Sequence, residues 1–310
     1  MPSMTQQNNR ITFAGFLITF IGAVLFSTKA IIVKKAFGAI RTDALTLLTL
    51  RMVFALPFYL FSAIVISNKK ENIRISKKQW LYVIILGMFG YYISSLLDFM
   101  GLQYISAGLE RLILFLYPSF TVLINVYFFR QKLLTTQKIA LALTYLGIAV
   151  AYYGELKIDT HNPGFYHGSS MVFACAITYS IYIAGSGRII PLIGANKFTG
   201  FAMLAATAGI FIHFLGKGNI ETLYTNAGLW GYGLSLAVFS TVIPSFMISN
   251  GLKRIGANNV AIISGIGPVS TIIQAHYILG EKIFAEQIAG TLLVIAGVLL
   301  TGWKRKINTG

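Results

Sequence analysis

Apolar residues along this chain come in long runs, not in alternation with polar ones. Runs of about twenty predominantly apolar residues recur throughout, separated by short polar connections. An α-helix rises 1.5 Å per residue, so about twenty residues cross a hydrocarbon layer of ~30 Å. Barrel strands would instead show alternating segments of about ten residues. The pattern predicts an all-α integral membrane protein with ten transmembrane helices, near 11–35, 43–66, 79–100, 107–129, 136–153, 166–186, 196–215, 228–250, 257–279 and 285–303. The longest connection is "SNKKENIRISKK", Ser67 to Lys78, which leaves no room for a soluble domain. The start, "MPSMTQQNNR", is not followed by a small-residue cleavage site, so the first run is expected to be a permanent helix rather than a signal peptide.

Comparing the chain with itself exposes a repeat. At a shift of 150 residues, Gly101, Leu102, Ile105, Ala107, Pro118, Thr121 and Tyr127 fall on Gly251, Leu252, Ile255, Ala257, Pro268, Thr271 and Tyr277. In the same frame Lys132, Gln137 and Gly147 fall on Lys282, Gln287 and Gly297. At a shift of 153, Gly15, Phe20, Ala23 and Ser27 fall on Gly168, Phe173, Ala176 and Ser180. The chain therefore divides into two five-helix units, 11–153 and 166–303. Five is odd, so the second unit enters the membrane from the opposite side, giving the inverted repeat of many secondary transporters.

Each half carries a run of the form Gly-Leu-x-x-Ile-x-Ala, then a proline, then a loop lysine preceded by Gln or Glu. This resembles the drug/metabolite transporter superfamily, EamA type, over about residues 11–303. Pro118 and Pro268 match the family's proline in the fourth helix of each half, and Glu281-Lys282 its acidic-basic turn. Gln131-Lys132 departs from that turn. The resemblance implies a ten-helix transporter of small organic metabolites, often an exporter.

Charge orients the helices. Only 11% of residues are charged, against about 25% in a soluble domain, while 56% are hydrophobic. The net charge of +16 is expected to mark cytoplasmic loops and not a nucleic-acid site. With the N-terminus inside, sixteen Lys and Arg fall in inside segments and six in outside ones, which places both termini in the cytoplasm and the protein in the inner (plasma) membrane. Cys175 is the single cysteine, so no disulfide forms within the chain.

Lys29, Arg51 and Arg111 lie inside apolar spans, as do Asp98 and Glu110. An ionisable group at bilayer centre costs at least about 2.5–3.5 kcal/mol, so such groups face protein or a water-filled cavity. These five come from four helices and share the outer half of one repeat. Tyr91, Ser94, Ser95 and Asp98 have the i, i+3, i+4, i+7 spacing of one helix face. Two readings stay open: an ion-pair network that locks helices together, or a cavity or outer gate for a charged or zwitterionic solute. In the second reading the substrate-binding or gating residues are Lys29, Arg51, Tyr91, Ser95, Asp98, Glu110, Arg111, Tyr117, Tyr182, Ser245 and Ser264. Asp98 and Glu110 are expected to pair with two of the three bases. Pro118 and Pro268 are helix-breaking, with Pro268 releasing the carbonyl of Ser264 from its helix bond.

The four histidines have no metal-ligand spacing, and "GSGRII" and "GKGN" are not phosphate loops, so neither metal nor cofactor is expected. The partners expected are a small solute and the lipid bilayer, with a proton or sodium as candidate coupling ion. The leading reading is a secondary transporter, an exporter of small polar metabolites such as amino acids, working by alternating access. The alternatives are a lipophilic drug or cation efflux transporter, an intramembrane enzyme, or a receptor. No nucleophile–base pair at membrane depth supports the enzyme.

Overall fold

The computed structural model describes residues 13–67, 75–130, 135–158 and 162–302. All regular structure among these residues is helical. The helices α1 (Phe13–Ala39) and α2 (Ala44–Ser67) are followed by α3 (Lys77–Gly87), a π-helical turn (Met88–Ile93) and α4 (Ser94–Gly101). Next come α5 (Ala107–Leu114), α6 (Tyr117–Phe129) and α7 (Thr135–Ile158). The second half holds α8 (Phe165–Ile193), α9 (Ala195–Lys217), a short α10 (Ile220–Thr225), α11 (Ala227–Ala237), a π-helical turn (Val238–Val242), α12 (Ile243–Ser264), α13 (Ile266–Gln274), a third π-helical turn (Ala275–Leu279) and α14 (Ala285–Gly302). Eight helical stretches among the described residues are long and apolar enough to cross a membrane, and Ala285–Gly297 is a shorter apolar helix. Of the basic residues that orient the chain, Arg10, Lys69, Lys70, Arg74, Lys132 and Lys304 to Lys306 lie outside the described residues.

Local chemistry sets the starts of these helices. Asp43 accepts from the Thr46 amide (2.8 Å) and hydroxyl (2.6 Å) ahead of α2. Ser76 and Gln79 form a capping box on α3. Ser106 caps α5 by accepting from the Leu109 amide at 3.1 Å.

Corresponding positions of the two halves share unusual backbone features. The first two π-helical turns begin at Met88 and Val238, which correspond under the 150-residue shift. Helix breaks fall at Phe115 and Gly265, another matched pair. Arg130 and Gly280, matched again, are both left-handed, with φ of 51° and 72°. The matched glycines Gly147 and Gly297 explain themselves in the crossing of α7 and α14. A Cβ on Gly147 would lie 2.6 Å from the Gly290 carbonyl oxygen, and one on Gly297 would lie 2.7 Å from that of Ala140. Positions 140 and 290 correspond as well. Small residues let membrane helices approach this closely, and an alanine at either glycine must push the pair apart. The wider packing follows the same correspondence. α1 lies against α12 and α8 against α4, while α2 pairs with α9 and α7 with α14.

One boundary differs from the sequence reading. A connection is expected at 251–256, between the eighth and ninth spans, but the chain is helical without interruption from 227 to 264. Lys253 and Arg254 thus sit in α12 rather than in a loop. Nothing there compels a break: no proline is present, and a helical glycine costs only about 1 kcal/mol relative to alanine. The first half does break, because Ser106 supplies an N-cap where the second half has Gly256.

Candidate functional site

The intramembrane charges converge on a cavity of about 250 Å³. α1 contributes Ala23, Phe26 and Lys29, and α2 contributes Arg51. The first π-helical turn and α4 bring Gly90, Tyr91, Ser94, Ser95 and Asp98, and α5 brings Arg111 and Leu114. The wall is completed by Phe115, Tyr117, Cys175, Tyr179, Met203, Ser240, Thr241, Ser245, Ile248 and Ser264. Both matched π-helical turns therefore face this space, one with Gly90 and Tyr91, the other with Ser240 and Thr241. A π-turn widens the helix and re-aims its side chains, and such turns are frequent at functional sites.

Lys29 is the hub of the charges. Its Nζ lies 2.6 Å from Asp98 Oδ2 and 3.6 Å from Glu110 Oε1. Glu110 is fully buried behind the cavity wall and lines no part of it. The expectation that the two acids pair with two different bases is corrected: both share Lys29. The reason is position, since Arg51 is drawn to the second π-helical turn and to Ser95. There its Nε donates to Thr241 Oγ1 (2.9 Å) and its Nη1 to Ser95 Oγ (3.5 Å), and its guanidinium sits 5.7 Å from the Phe99 ring centroid. Arg111 makes no ion pair within 4.0 Å among the described residues, and its Nε has no hydrogen-bond partner there. A Cβ on Gly267 would lie 2.8 Å from Arg111 Nη2, so this glycine gives the guanidinium its room. Asp98 Oδ1 and Glu110 Oε2 likewise lack hydrogen-bond partners. The three carboxylate and ammonium charges sum to −1, and the two guanidiniums add +2.

Aromatic rings form one side of the site. Tyr91 and Tyr182 hydroxyls are 2.9 Å apart. Tyr182 is buried behind Tyr91 and does not line the cavity, contrary to its expected role there. Tyr117 packs edge-on to Tyr179, with ring centroids 5.1 Å apart. Tyr59 lies within 3.5 Å of Ser245 Oγ.

Pro118 and Pro268 sit just past the matched helix breaks, and a serine from the other packed helix meets each site. Ser27 Oγ donates to the Gly267 carbonyl at 3.1 Å, and Ser180 Oγ donates to the Tyr117 carbonyl at 3.2 Å. Gly267 and Tyr117 each precede their proline, so the repeat matches Ser27–Ser180 and Pro118–Pro268 belong to one recurring joint. Ser264, one residue before the second break, faces the cavity.

Nine of the eleven expected site residues line this space; Glu110 and Tyr182 stand directly behind it. Sequence reasoning missed Tyr179, Phe26, Met203 and Tyr59. Tyr179 precedes Tyr182 by one helical turn, a spacing that marks it in retrospect. Phe26 and Met203 carry no such signal.

A family model described as the EamA-like transporter family matches residues 13–153 and 167–303. The chain belongs to that family. The uncharacterized transporter YcbK of Bacillus subtilis (strain 168) is 29% identical over 320 residues, covering 100% of this chain and 99% of its own. An uncharacterized transporter of Archaeoglobus fulgidus is 25% identical, covering 81% of this chain and 87% of its own. A solved crystal structure superposes with a TM-score of 0.64 at 17% identity, over 92% of this chain and 96% of that one. That likeness concerns the fold alone. The protein is a multi-pass membrane transporter by family.

Proposed function

We propose that this EamA-family protein is a secondary transporter that exports small polar organic metabolites, amino acids foremost, by alternating access. The observation that carries the reading is the charge layout of the cavity. Asp98, ion-paired to Lys29, and Arg111, which makes no ion pair within 4.0 Å among the described residues, both line it. A solute with an ammonium and a carboxylate would bring an opposite charge to each of these side chains. The volume of about 250 Å³ lies below the roughly 300–1,000 Å³ of drug-sized sites, favouring a small solute. The tyrosine faces alone would suit a lipophilic cation, but Arg51 and Arg111 repel one.

Inverted halves support the alternating-access mechanism. Each half has an odd number of spans in the sequence reading, and the matched π-turns, breaks and left-handed caps give both halves the same joints. The basic-residue bias favours cytoplasmic termini in the inner membrane. Asp98 and Glu110, two acids on one ammonium, are the groups a coupling proton or sodium would meet.

A ligand present at 100 times its dissociation constant stabilises the folded state by about 2.7 kcal/mol. Zwitterionic amino acids are therefore expected to raise the thermal unfolding midpoint of the purified protein by several degrees. A hydrophobic cation at equal concentration is expected to leave it unmoved. The reverse result overturns the choice of solute.

A further inference from the structure

The sequence reading left Glu281 without a role, and Glu281 makes a polar contact between the two halves. Its Oε1 accepts from the Ala107 amide at 2.8 Å, and its Oε2 from the Gly108 amide at 3.3 Å. These are the first two amides of α5, which no intrahelical carbonyl can satisfy. A carboxylate there also meets the positive end of the helix dipole. The backbone of Glu281 is itself fixed, since its amide donates to the Ala275 carbonyl (3.2 Å) and its carbonyl lies 2.9 Å from His276 Nδ1. Glu281 belongs to the second half and α5 to the first.

The helix so held carries Glu110 and Arg111, and Arg111 is about one turn, ~6 Å, past the held amides. Between them the chain is sealed: Ile105, Ala107, Leu109 and Glu110 are each at most 1% exposed. The cavity lining extends the other way, to Ser264, the last residue of α12, with the ~20 Å length of α13 and its π-helical turn between it and Glu281. In the second half α12 runs unbroken through the position matched to Ala107, so it offers no free amides there, and the residue matched to Glu281 in the sequence repeat is Gln131.

We infer that Glu281 is a latch: its carboxylate on the start of α5 holds the cavity shut at that end, and the contact must break for the cavity to open there. The inference rests on the alternating-access reading. It also accounts for the unequal halves, because an inverted repeat caught in one state has one end capped and the other extended.

Cys175 lines the cavity and is the single cysteine, so the natural protein carries its own reporter. The rate of its modification by a small membrane-impermeant methanethiosulfonate is measured in right-side-out and inside-out vesicles. Wild-type protein is expected to react faster from the face opposite Glu281. Glu281→Gln is expected to raise the rate from the Glu281 face about tenfold, the worth of a charge-assisted hydrogen bond. Ala107→Pro deletes the other partner of the same bond. Proline is favoured at the first helical position, and Ser106 already has the extended backbone (φ −65°, ψ 154°) that precedes it well. The double variant is expected to match Glu281→Gln without adding the effect of Ala107→Pro, because the bond that the proline deletes is already weakened. Wild-type labelling from the far face with unchanged rates in both variants overturns the latch and leaves the transport reading standing. Absence of labelling from either face in every protein, with the thiol reactive once the protein is denatured, also overturns the latch, whereas absence of solute flux through the wild-type protein overturns the transport reading on which it rests.

Discussion

Lys29→Met is expected to remove most of the folded protein. The ammonium is the shared ion-pair partner of Asp98 and Glu110, which are 1% and 0% exposed. Without it two like charges face each other inside the membrane-spanning region. Removing one partner of a buried ion pair costs about 3–5 kcal/mol, a large share of a typical protein's net stability. The check is the yield of monodisperse protein in detergent and its thermal midpoint. The compensated variant Lys29→Met with Asp98→Asn removes opposite charges together and is expected to recover most of the yield. Full recovery is not expected, since Glu110 remains. Wild-type stability in the single variant contradicts the pairing.

Arg111→Met is expected to do the opposite. Its guanidinium has no ion pair within 4.0 Å among the described residues and an unpartnered Nε, so the fold loses little with it. Removing an unsatisfied buried donor leaves the thermal midpoint equal or higher. The solute, in contrast, loses its carboxylate anchor, and binding is expected to fall about 10–100-fold. Arg111→Lys is expected to restore little of this, because an ammonium cannot grip a carboxylate with two parallel bonds. Together these two residues separate charges that hold the helices from charges that wait for a ligand. On the proposed reading the cluster serves as both scaffold and site, divided between Lys29 and Arg111.

Much of this was legible in the sequence because a membrane limits the choices. Charges are rare at depth, so Lys29, Arg51, Asp98, Glu110 and Arg111 stood out from their apolar runs. The repeat picked out Ser27, Ser180, Pro118, Pro268, Gly147 and Gly297, and each turned out to sit at a helix joint or close crossing. What stayed hidden depended on rotation of one helix against another. Which base meets which acid is such a case, since Arg51 reaches Thr241 and not Asp98. Phe26 and Met203 are apolar residues among many, and only packing tells that they face the cavity rather than lipid. The unbroken α12 was hidden for another reason: glycines at 251 and 256 permit a turn without requiring one, and the missing cap decided it. Glu281 was visible as a motif residue, but its partner is a pair of backbone amides 173 and 174 residues away, which no side-chain pattern reveals.

Uptake of radiolabelled amino acids into proteoliposomes tests the central claim most directly, with empty liposomes and Arg111→Met protein alongside. The cavity's paired acids and free guanidinium predict flux of at least one zwitterion through the wild-type protein, competed by the unlabelled amino acid and reduced about 10–100-fold in Arg111→Met. Robust flux of a hydrophobic cation with none for any zwitterion, or equal flux in wild type and Arg111→Met, would contradict it.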